Sequence, residues 1–474
     1  METNLYAQLA DSLVEQIRQG VFRPSEKMPS VRFLARRESV SISTVSAAYE
    51  LLERRGWVEA RERSGYFVQS RREETLSAPK QARTRPRPLP TMLSQLVMEV
   101  QRGSITEGAN FSRAIPSSDF PIIRQVQRTY TRLSRTQPFL GIGYDTPEGL
   151  LALRQQIARR AVDAGVFAPP ESIIVTTGCQ NAMAHCLRVV TQPGDIVAVE
   201  SPCYYGQLQM IEAQGLQTVE IPAHPETGLS LEALQLALDK WPIKAIMTVP
   251  TFSNPLGCNM PDENKRALAD LLDRYDIPLI EDDIYGDLHY AEQRPKAVKA
   301  FDKNGRVLLC SSLSKTIDPQ FGIGWIIPGR YFEEVVHSKF VTSHAMASLP
   351  QMVAAEILAQ GAYERHLRLA RETYRQRYQF IVERITEYFP PETRVSRPEG
   401  GLVVWLQFPP QVDTTKLYHR GLAEHIRIAP GELFSVTGKY RNCMRLNYAV
   451  AWSPEKEEAL RKLGSWVKEA MDEA

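Results

Sequence analysis

Ser312-Leu313-Ser314-Lys315 sets an amine beside two hydroxyls, directly after the apolar run Val307-Leu308-Leu309-Cys310. A lysine at a buried strand's end suits a nucleophile that condenses with an aldehyde, and the hydroxyls suit a phosphate's oxygens. The string is common, and taken alone it reads more readily as a solvated loop lysine. Other segments point the same way. Ile280-Glu281-Asp282-Asp283-Ile284-Tyr285 puts carboxylates at a strand's C-terminal end, where sites in α/β proteins form. A buried aspartate there would keep a pyridine nitrogen protonated, so that the ring withdraws electrons. Thr176-Thr177-Gly178-Cys179-Gln180-Asn181 joins a strand to a helix, and the N–H groups of such a junction bind phosphate. Asn254 and Tyr285 offer hydrogen-bond donors to a phenolate oxygen. Tyr204 offers an aromatic face for stacking, and Arg445, in Met444-Arg445-Leu446-Asn447, a bidentate partner for a carboxylate. Singly, each also fits a structural role: an Asn turn, a core tyrosine, an ion-paired arginine.

These residues need a scaffold that gathers loop ends. From about residue 95 short apolar runs alternate with helix-length segments. Ile173-Ile174-Val175, Ile196-Val197-Ala198-Val199, Ala245-Ile246-Met247, Pro278-Leu279-Ile280 and Val307-Leu308-Leu309 predict buried parallel strands. This is an α/β domain, with its large part at about 140–350. The rest, about 351–474, reads as a smaller α+β part. It has a long charged helix over 362–387, a strand in Gly401-Leu402-Val403-Val404-Trp405-Leu406 and a last helix over 454–470. No internal repeat is present.

Residues 1–68 have a different texture. Leu5, Leu9, Leu13 and Ile17 fall at i+4 spacing and predict an amphipathic helix closed by Gly20. Ser30 caps a short second helix, and Ser41-Ile42-Ser43-Thr44 opens a third with Val45, Ala48, Tyr49 and Leu52 on its apolar face. After Gly56 two alternating runs flank a Ser64-Gly65 turn. Three helices and a hairpin is the winged helix-turn-helix order. Ser43, Thr44 and Ser46 suit the start of a helix entering a major groove, Arg32 a guanine or phosphate, and Arg61 and Arg63 an adjacent groove. A helical protein-interaction module with a solvated arginine face has the same composition. Residues 69–95 hold Pro79, Pro86, Pro88, Pro90 and a basic excess, and read as a linker.

Composition narrows the classes. Hydrophobic residues at 43% and charged residues at 24% are globular values and exclude a wholly disordered chain. Net charge is only +2, yet residues 1–90 carry 16 basic against 11 acidic side chains, an asymmetry that favours a nucleic-acid contact at that end. No stretch reaches the roughly 18 apolar residues of a membrane span, and the first twenty form no secretory signal. A cytoplasmic protein is expected. The six cysteines are scattered without a C-x-x-C pair, so no metal site and no disulfide scaffold is expected.

The N-terminal segment resembles the GntR family of bacterial winged helix-turn-helix regulators over residues 4–68. The resemblance rests on Leu5-Tyr6-Ala7-Gln8-Leu9, Met28-Pro29-Ser30-Val31-Arg32-Phe33-Leu34-Ala35, Ser43-Thr44-Val45-Ser46-Ala47-Ala48-Tyr49-Glu50-Leu51-Leu52-Glu53 and Ser64-Gly65-Tyr66-Phe67-Val68. The remainder resembles the fold-type-I, pyridoxal-phosphate-dependent aminotransferases. That resemblance implies Lys315 as the Schiff-base lysine, Asp282 as the pyridinium partner, and Asn254 and Tyr285 as ring-hydroxyl donors. It implies Gly178, Cys179, Gln180, Ser312 and Ser314 around the phosphate, Tyr204 stacked on the ring, and Arg445 on a substrate carboxylate. Tyr144, in Tyr144-Asp145-Thr146-Pro147-Glu148-Gly149, would reach the phosphate of a neighbouring subunit, so a homodimer is implied.

One position departs from that family. An arginine usually follows the lysine by seven residues, and here Gly322 stands there, with Asp318 adding a negative charge nearby. Loss of a charge-assisted hydrogen bond of about 1.5–3 kcal/mol implies roughly 10–100-fold weaker cofactor binding, unless another cation such as Arg330 substitutes. Both halves in this order resemble the MocR subgroup of bacterial regulators. The implied function is sequence-specific control of transcription, with an amino compound or the cofactor itself as effector. A working aminotransferase tethered to double-stranded DNA, and a regulator that has lost tight cofactor binding, remain alternatives at this point.

Overall fold

A computed structural model describes the chain except residues 1–4, 19–20, 24, 62–63, 70–75, 82–85, 91–94, 103–107, 141–142 and 473–474. It divides into two compact units, Met1–Thr75 and Leu76–Ala474.

The first unit holds helices Leu5–Arg18, Val31–Arg37 and Ile42–Arg54 and an antiparallel hairpin of Val58–Arg61 with Gly65–Val68. Both expected caps form. Ser30 Oγ accepts from the Phe33 amide at 3.3 Å and Ser41 Oγ from the Thr44 amide at 3.1 Å. Val45, Ala48, Tyr49 and Leu52 are buried with Leu9, Leu13, Leu34 and Val58. Each large side chain so buried contributes about 1.5–3 kcal/mol. Tyr49 also stacks on Tyr66 with ring centroids 4.7 Å apart, which fastens the third helix to the hairpin.

In the second unit the main sheet runs in the order Pro88–Pro90, Gln217–His224, Ile196–Ser201, Ile243–Thr248, Leu279–Asp282, Val307–Ser312, Gly324–Ile327, Ile174–Thr176. The five strands from Gln217–His224 to Val307–Ser312 are mutually parallel. Their side chains alternate between two cores. Val197, Val199, Met247, Ile280 and Leu308 pack with the helix Cys179–Val190. Ile196, Ala198, Ile246, Leu279 and Val307 pack with residues of Leu231–Lys240 and Asp262–Tyr275. Helices on both faces bury the sheet fully, which is why its strands read as unbroken apolar runs. Gly324–Ile327, which the sequence reading did not single out, is antiparallel to both its neighbours.

The smaller part has the four-stranded sheet Arg394–Val395, Val403–Gln407, Cys443–Asn447, Ala429–Pro430 and the helices Ala362–Tyr388 and Pro454–Asp472. It is not confined to residues after 350. Ala109–Asn110 pairs in parallel with Ile426–Arg427. The segment read as linker is also partly built in. Ser77 O accepts from the Val395 amide, and Leu76 O and Ala78 O accept from Arg397 and Arg394. Pro88–Pro90 forms an edge strand on Gln217–Val219. Proline is tolerated there because an edge strand can leave its missing N–H facing away from the ladder. Among the described residues no helix is long and apolar enough to cross a membrane.

Candidate functional site

At the C-terminal ends of the parallel strands lies a cavity of about 450 Å³. It is lined by Gly178, Cys179, Gln180, Tyr204, Asn254, Asp282, Tyr285, Ser312, Ser314, Lys315 and Arg445, together with Met98, Arg113, Ala114 and Gln209. The eleven residues singled out from the sequence for one site of this unit are therefore brought together from separate strands, helix starts and loops. Tyr144 is not among them. It is 83% exposed, with its ring centroid 4.4 Å from that of His344.

The Gly178–Gln180 end is a helix N-terminus. Gly178 caps Cys179–Val190 at φ +118°, a conformation side chains rarely tolerate, and places the helix's first N–H groups at the cavity. Gly324 makes room for it: a Cβ at 324 would stand 2.5 Å from the Gly178 carbonyl carbon. Ser312 Oγ accepts from the Ser314 amide at 3.2 Å. Gly322 also has positive φ, +62°, and a Cβ there would meet nothing closer than Gln320 O at 3.9 Å. Arg330 does not substitute for the absent arginine. It bonds Asp276 at 2.9 Å and lies over Tyr331, and it does not line the cavity.

Asp282 and Asp283 leave the strand on opposite faces and meet different partners. Asp283 pairs with Arg294 at 2.5 Å. Asp282 accepts from the Cys179 thiol and from the Ile284 amide, both at 3.2 Å. Burial pushes Asp282 up to about 6, and the thiol opposes that rise. Cys179, expected only beside a phosphate, thus turns its side chain to the carboxylate. Lys315 Nζ donates to Ala114 O at 2.8 Å, and burial, with Arg445 nearby, lowers its amine to about 8. The next residue, Thr316, is clamped by the long helix Ala362–Tyr388. The Tyr363 hydroxyl lies 2.8 Å from Thr316 Oγ1, and His366 Nε2 bonds Thr316 O.

Arg445 is fully buried on the strand Cys443–Asn447. Its Nη1 donates to Asn254 Oδ1 at 2.9 Å and its Nη2 to Ser112 O, while Nε has no partner. Its guanidinium lies 5.2 Å from the Phe434 ring centroid. Tyr285 is buried with a side-chain bond to Asn254, and desolvation pushes its hydroxyl well above the usual phenol range. The Tyr204 ring folds over Gly206, where any Cβ would collide with it. Sequence reasoning missed the backbone acceptors of residues 112–114 and the Thr316 clamp. Every residue type carries a carbonyl, so residue identity marks none of these acceptors.

In the first unit Arg32 and Ser43 are exposed, and Thr44 and Ser46 are half-buried at the start of the third helix. Ser43 Oγ and Thr44 Oγ1 each lie 2.7 Å from Ser41 Oγ. Arg61 pairs with Glu59 at 2.5 Å and lies over the Phe67 ring. Arg63 lies outside the described residues.

Residues 5–68 match the family model of bacterial regulatory proteins, gntR family, and residues 141–463 that of aminotransferase class I and II. The chain is 42% identical to the uncharacterized HTH-type transcriptional regulator YjiR of Escherichia coli over 468 residues, 98% of this chain and 99% of that one. It is 30% identical to aromatic-amino-acid aminotransferase 1 of Thermococcus litoralis over 337 residues, 69% of this chain and 80% of the relative. The multiple substrate aminotransferase of Thermococcus profundus superposes with a TM-score of 0.74 at 26% identity, covering 81% of this chain and 97% of that structure. The hairpin-bearing helical unit, the mixed sheet with its loop-end cavity, and these likenesses agree: the chain belongs to the GntR family of bacterial DNA-binding regulators, in the MocR-type arrangement that joins a winged helix-turn-helix to an aminotransferase class I and II domain.

Proposed function

We propose that this DNA-binding regulator holds pyridoxal 5'-phosphate in the second unit's cavity and responds there to an amino compound or to the cofactor itself. One observation carries the reading: an amine, a buried carboxylate, two hydroxyls, a helix N-terminus and a guanidinium converge on about 450 Å³. Pyridoxal phosphate, when bound, supplies an aldehyde that condenses with an amine with loss of water and a pyridine ring that withdraws electrons.

The residues present fit that group. Gly178–Gln180, Ser312 and Ser314 offer N–H and O–H donors to a phosphate, dipoles in place of the missing cation. Asp282 is ionised at neutral pH and suits a ring nitrogen; Asn254 and Tyr285 suit a ring oxygen. Lys315, lowered to about 8, keeps a useful fraction of its amine unprotonated near neutral pH, as a nucleophile requires. Arg445 offers its unpaired Nε to a carboxylate. Tyr144, exposed on its own subunit, suits a place beside the phosphate of a partner in a homodimer.

The test is spectroscopic. Pyridoxal phosphate added to the purified chain is expected to give a visible-edge absorbance band that survives gel filtration, and Lys315→Ala to give none. A wild-type protein without the band at saturating cofactor overturns the reading. Keto-acid-dependent turnover of the loaded protein separates a regulator from a working aminotransferase.

A further inference from the structure

The first two turns of the third helix lack the side chains that usually tell bases apart. Residues 42–49 hold no Arg, Lys, Asn, Gln, Asp or Glu. Bidentate or charged base contacts need those types: Arg or Lys on guanine, Asn or Gln on adenine, Asp or Glu on cytosine. The first cation along this helix is Arg54, in its last turn, and its Nε donates to Glu50 O at 3.3 Å. Arg32, Arg36 and Arg37 stand on the preceding helix, which in a helix-turn-helix crosses the phosphate backbone.

What the third helix does present is apolar. Among the described residues of this unit, the exposed large apolar side chains are Leu5, Val21, Phe33 and Ile42, and only Ile42 stands on that helix. It is the helix's first residue, directly after the Ser41 cap, and is 56% exposed. Its neighbours in the turn are held elsewhere. Ser43 Oγ and Thr44 Oγ1 each lie 2.7 Å from Ser41 Oγ, which also accepts from the Thr44 amide. Val45 is fully buried in the unit's core. A water-facing isoleucine contributes little to the fold, because its apolar surface stays wet. Yet the leading turn of such a helix is the part that meets base edges in the major groove. There thymine alone offers an apolar partner, its C5 methyl.

We infer that Ile42 is a specificity-determining residue of the DNA-binding unit and reads a thymine through that base's methyl group. This rests on the DNA-binding assignment of residues 5–68 and adds which base is read and by what contact. Ile42 and the methyl exclude water from between them. Guanine, adenine or cytosine at that place sets Ile42 against O6, N6 or N4, polar groups that lose water to it and gain no hydrogen bond. The preferred site therefore carries a thymine beneath the first turn of the third helix.

Exchanging thymine for deoxyuridine removes the methyl and nothing else, so it tests the contact directly. The full chain first selects its preferred site from a library of random duplexes. Each thymine of that site is then exchanged in turn, and affinity is read by gel shift for wild type, Ile42→Ala and Phe33→Ala. Loss of one buried methyl contact is worth about fourfold. At least one exchange should cost wild type and Phe33→Ala that factor and cost Ile42→Ala nothing. Thermal melts check that each variant folds like wild type, and Ile42→Ser takes the place of an Ile42→Ala that does not. A penalty equal in wild type and Ile42→Ala at every thymine overturns the inference, as does a preferred site in which no exchange costs affinity. A penalty that vanishes in Phe33→Ala and stays in Ile42→Ala assigns the methyl to Phe33 and overturns it as well. A library from which the chain enriches no sequence defeats the DNA-binding assignment itself, whereas the other failures leave that assignment standing and remove only the methyl contact.

Discussion

The Cys179 thiol donates to Asp282 Oδ1 at 3.2 Å from the first residue of the helix Cys179–Val190. One residue therefore serves two ends of the cavity, its main chain at the helix N-terminus and its sulfur at the carboxylate. Because the thiol favours the charged carboxylate, Cys179→Ala should raise Asp282 above its value of about 6, and Cys179→Ser, which keeps a donor, should restore it. The raised value means that the folded protein holds a proton the unfolded chain has released. Stability from this group is full below about pH 4 and is lost as pH rises through 6, by about 3 kcal/mol in all. Denaturant melts of cofactor-free wild type, Cys179→Ala and Asp282→Asn across that window check it. A slope that survives Asp282→Asn unchanged would show that other groups carry it.

Lys315 gives a second pH dependence. Its amine sits near 8, lowered chiefly by burial, so capture of pyridoxal phosphate should quicken as pH rises toward 8 and level off above. Stopped-flow absorbance at fixed cofactor measures this. A flat profile between pH 6 and about 9 would place the reacting amine elsewhere.

Gly322 occupies the left-handed region, at φ +62°, with open space beside it. Any side chain there costs conformational energy of about 1–2 kcal/mol without a clash. Gly322→Ala isolates that cost in a thermal melt. Gly322→Arg should show a similar loss of stability yet bind pyridoxal phosphate about 10–100-fold tighter than Gly322→Ala. Equal affinity in the two variants would mean that position 322 does not address the phosphate.

On the DNA side, Arg32→Ala or Thr44→Ala should weaken binding to a cognate site by about 1–3 kcal/mol if these side chains reach base edges. Ser41→Ala is the informative control. It removes the cap bonded to the Thr44 amide and should lower stability by about 0.5–2 kcal/mol. Gel-shift titrations beside melts of the three variants separate contact from scaffold, and cognate affinity equal to wild type in both Arg32→Ala and Thr44→Ala would move the recognition surface elsewhere.

The site was legible where chemistry and local structure coincide. Lys315, Asp282, Asn254 and the Gly178–Gln180 turn all follow apolar runs, so strand ends could be assigned and the residues beyond them gathered. The antiparallel Gly324–Ile327 was not legible, because a short apolar run reads the same whichever way it is threaded. Pro88–Pro90 pointed to a linker, since proline suits an open tether and a sheet edge alike. The contacts of Thr316 with Tyr363 and His366 join residues nearly fifty positions apart and carry no local pattern. Ser112 and Ala114 act through main-chain oxygens, which residue identity does not mark.

The clamp on Thr316 separates what is stiff from what is soft at the heart of the second unit. The peptide that follows Lys315 is pinned through both its hydroxyl and its carbonyl to a helix of 27 residues. The lysine's backbone is thus anchored to a long rigid rod, and only its aliphatic arm is left to swing. Exchange of one partner for another at the nitrogen is then a matter of side-chain torsions, quick to make and quick to undo, while the floor of the cavity keeps its shape. A chemical event at Lys315 is thereby confined to its side chain, and the turn that carries it stays in place.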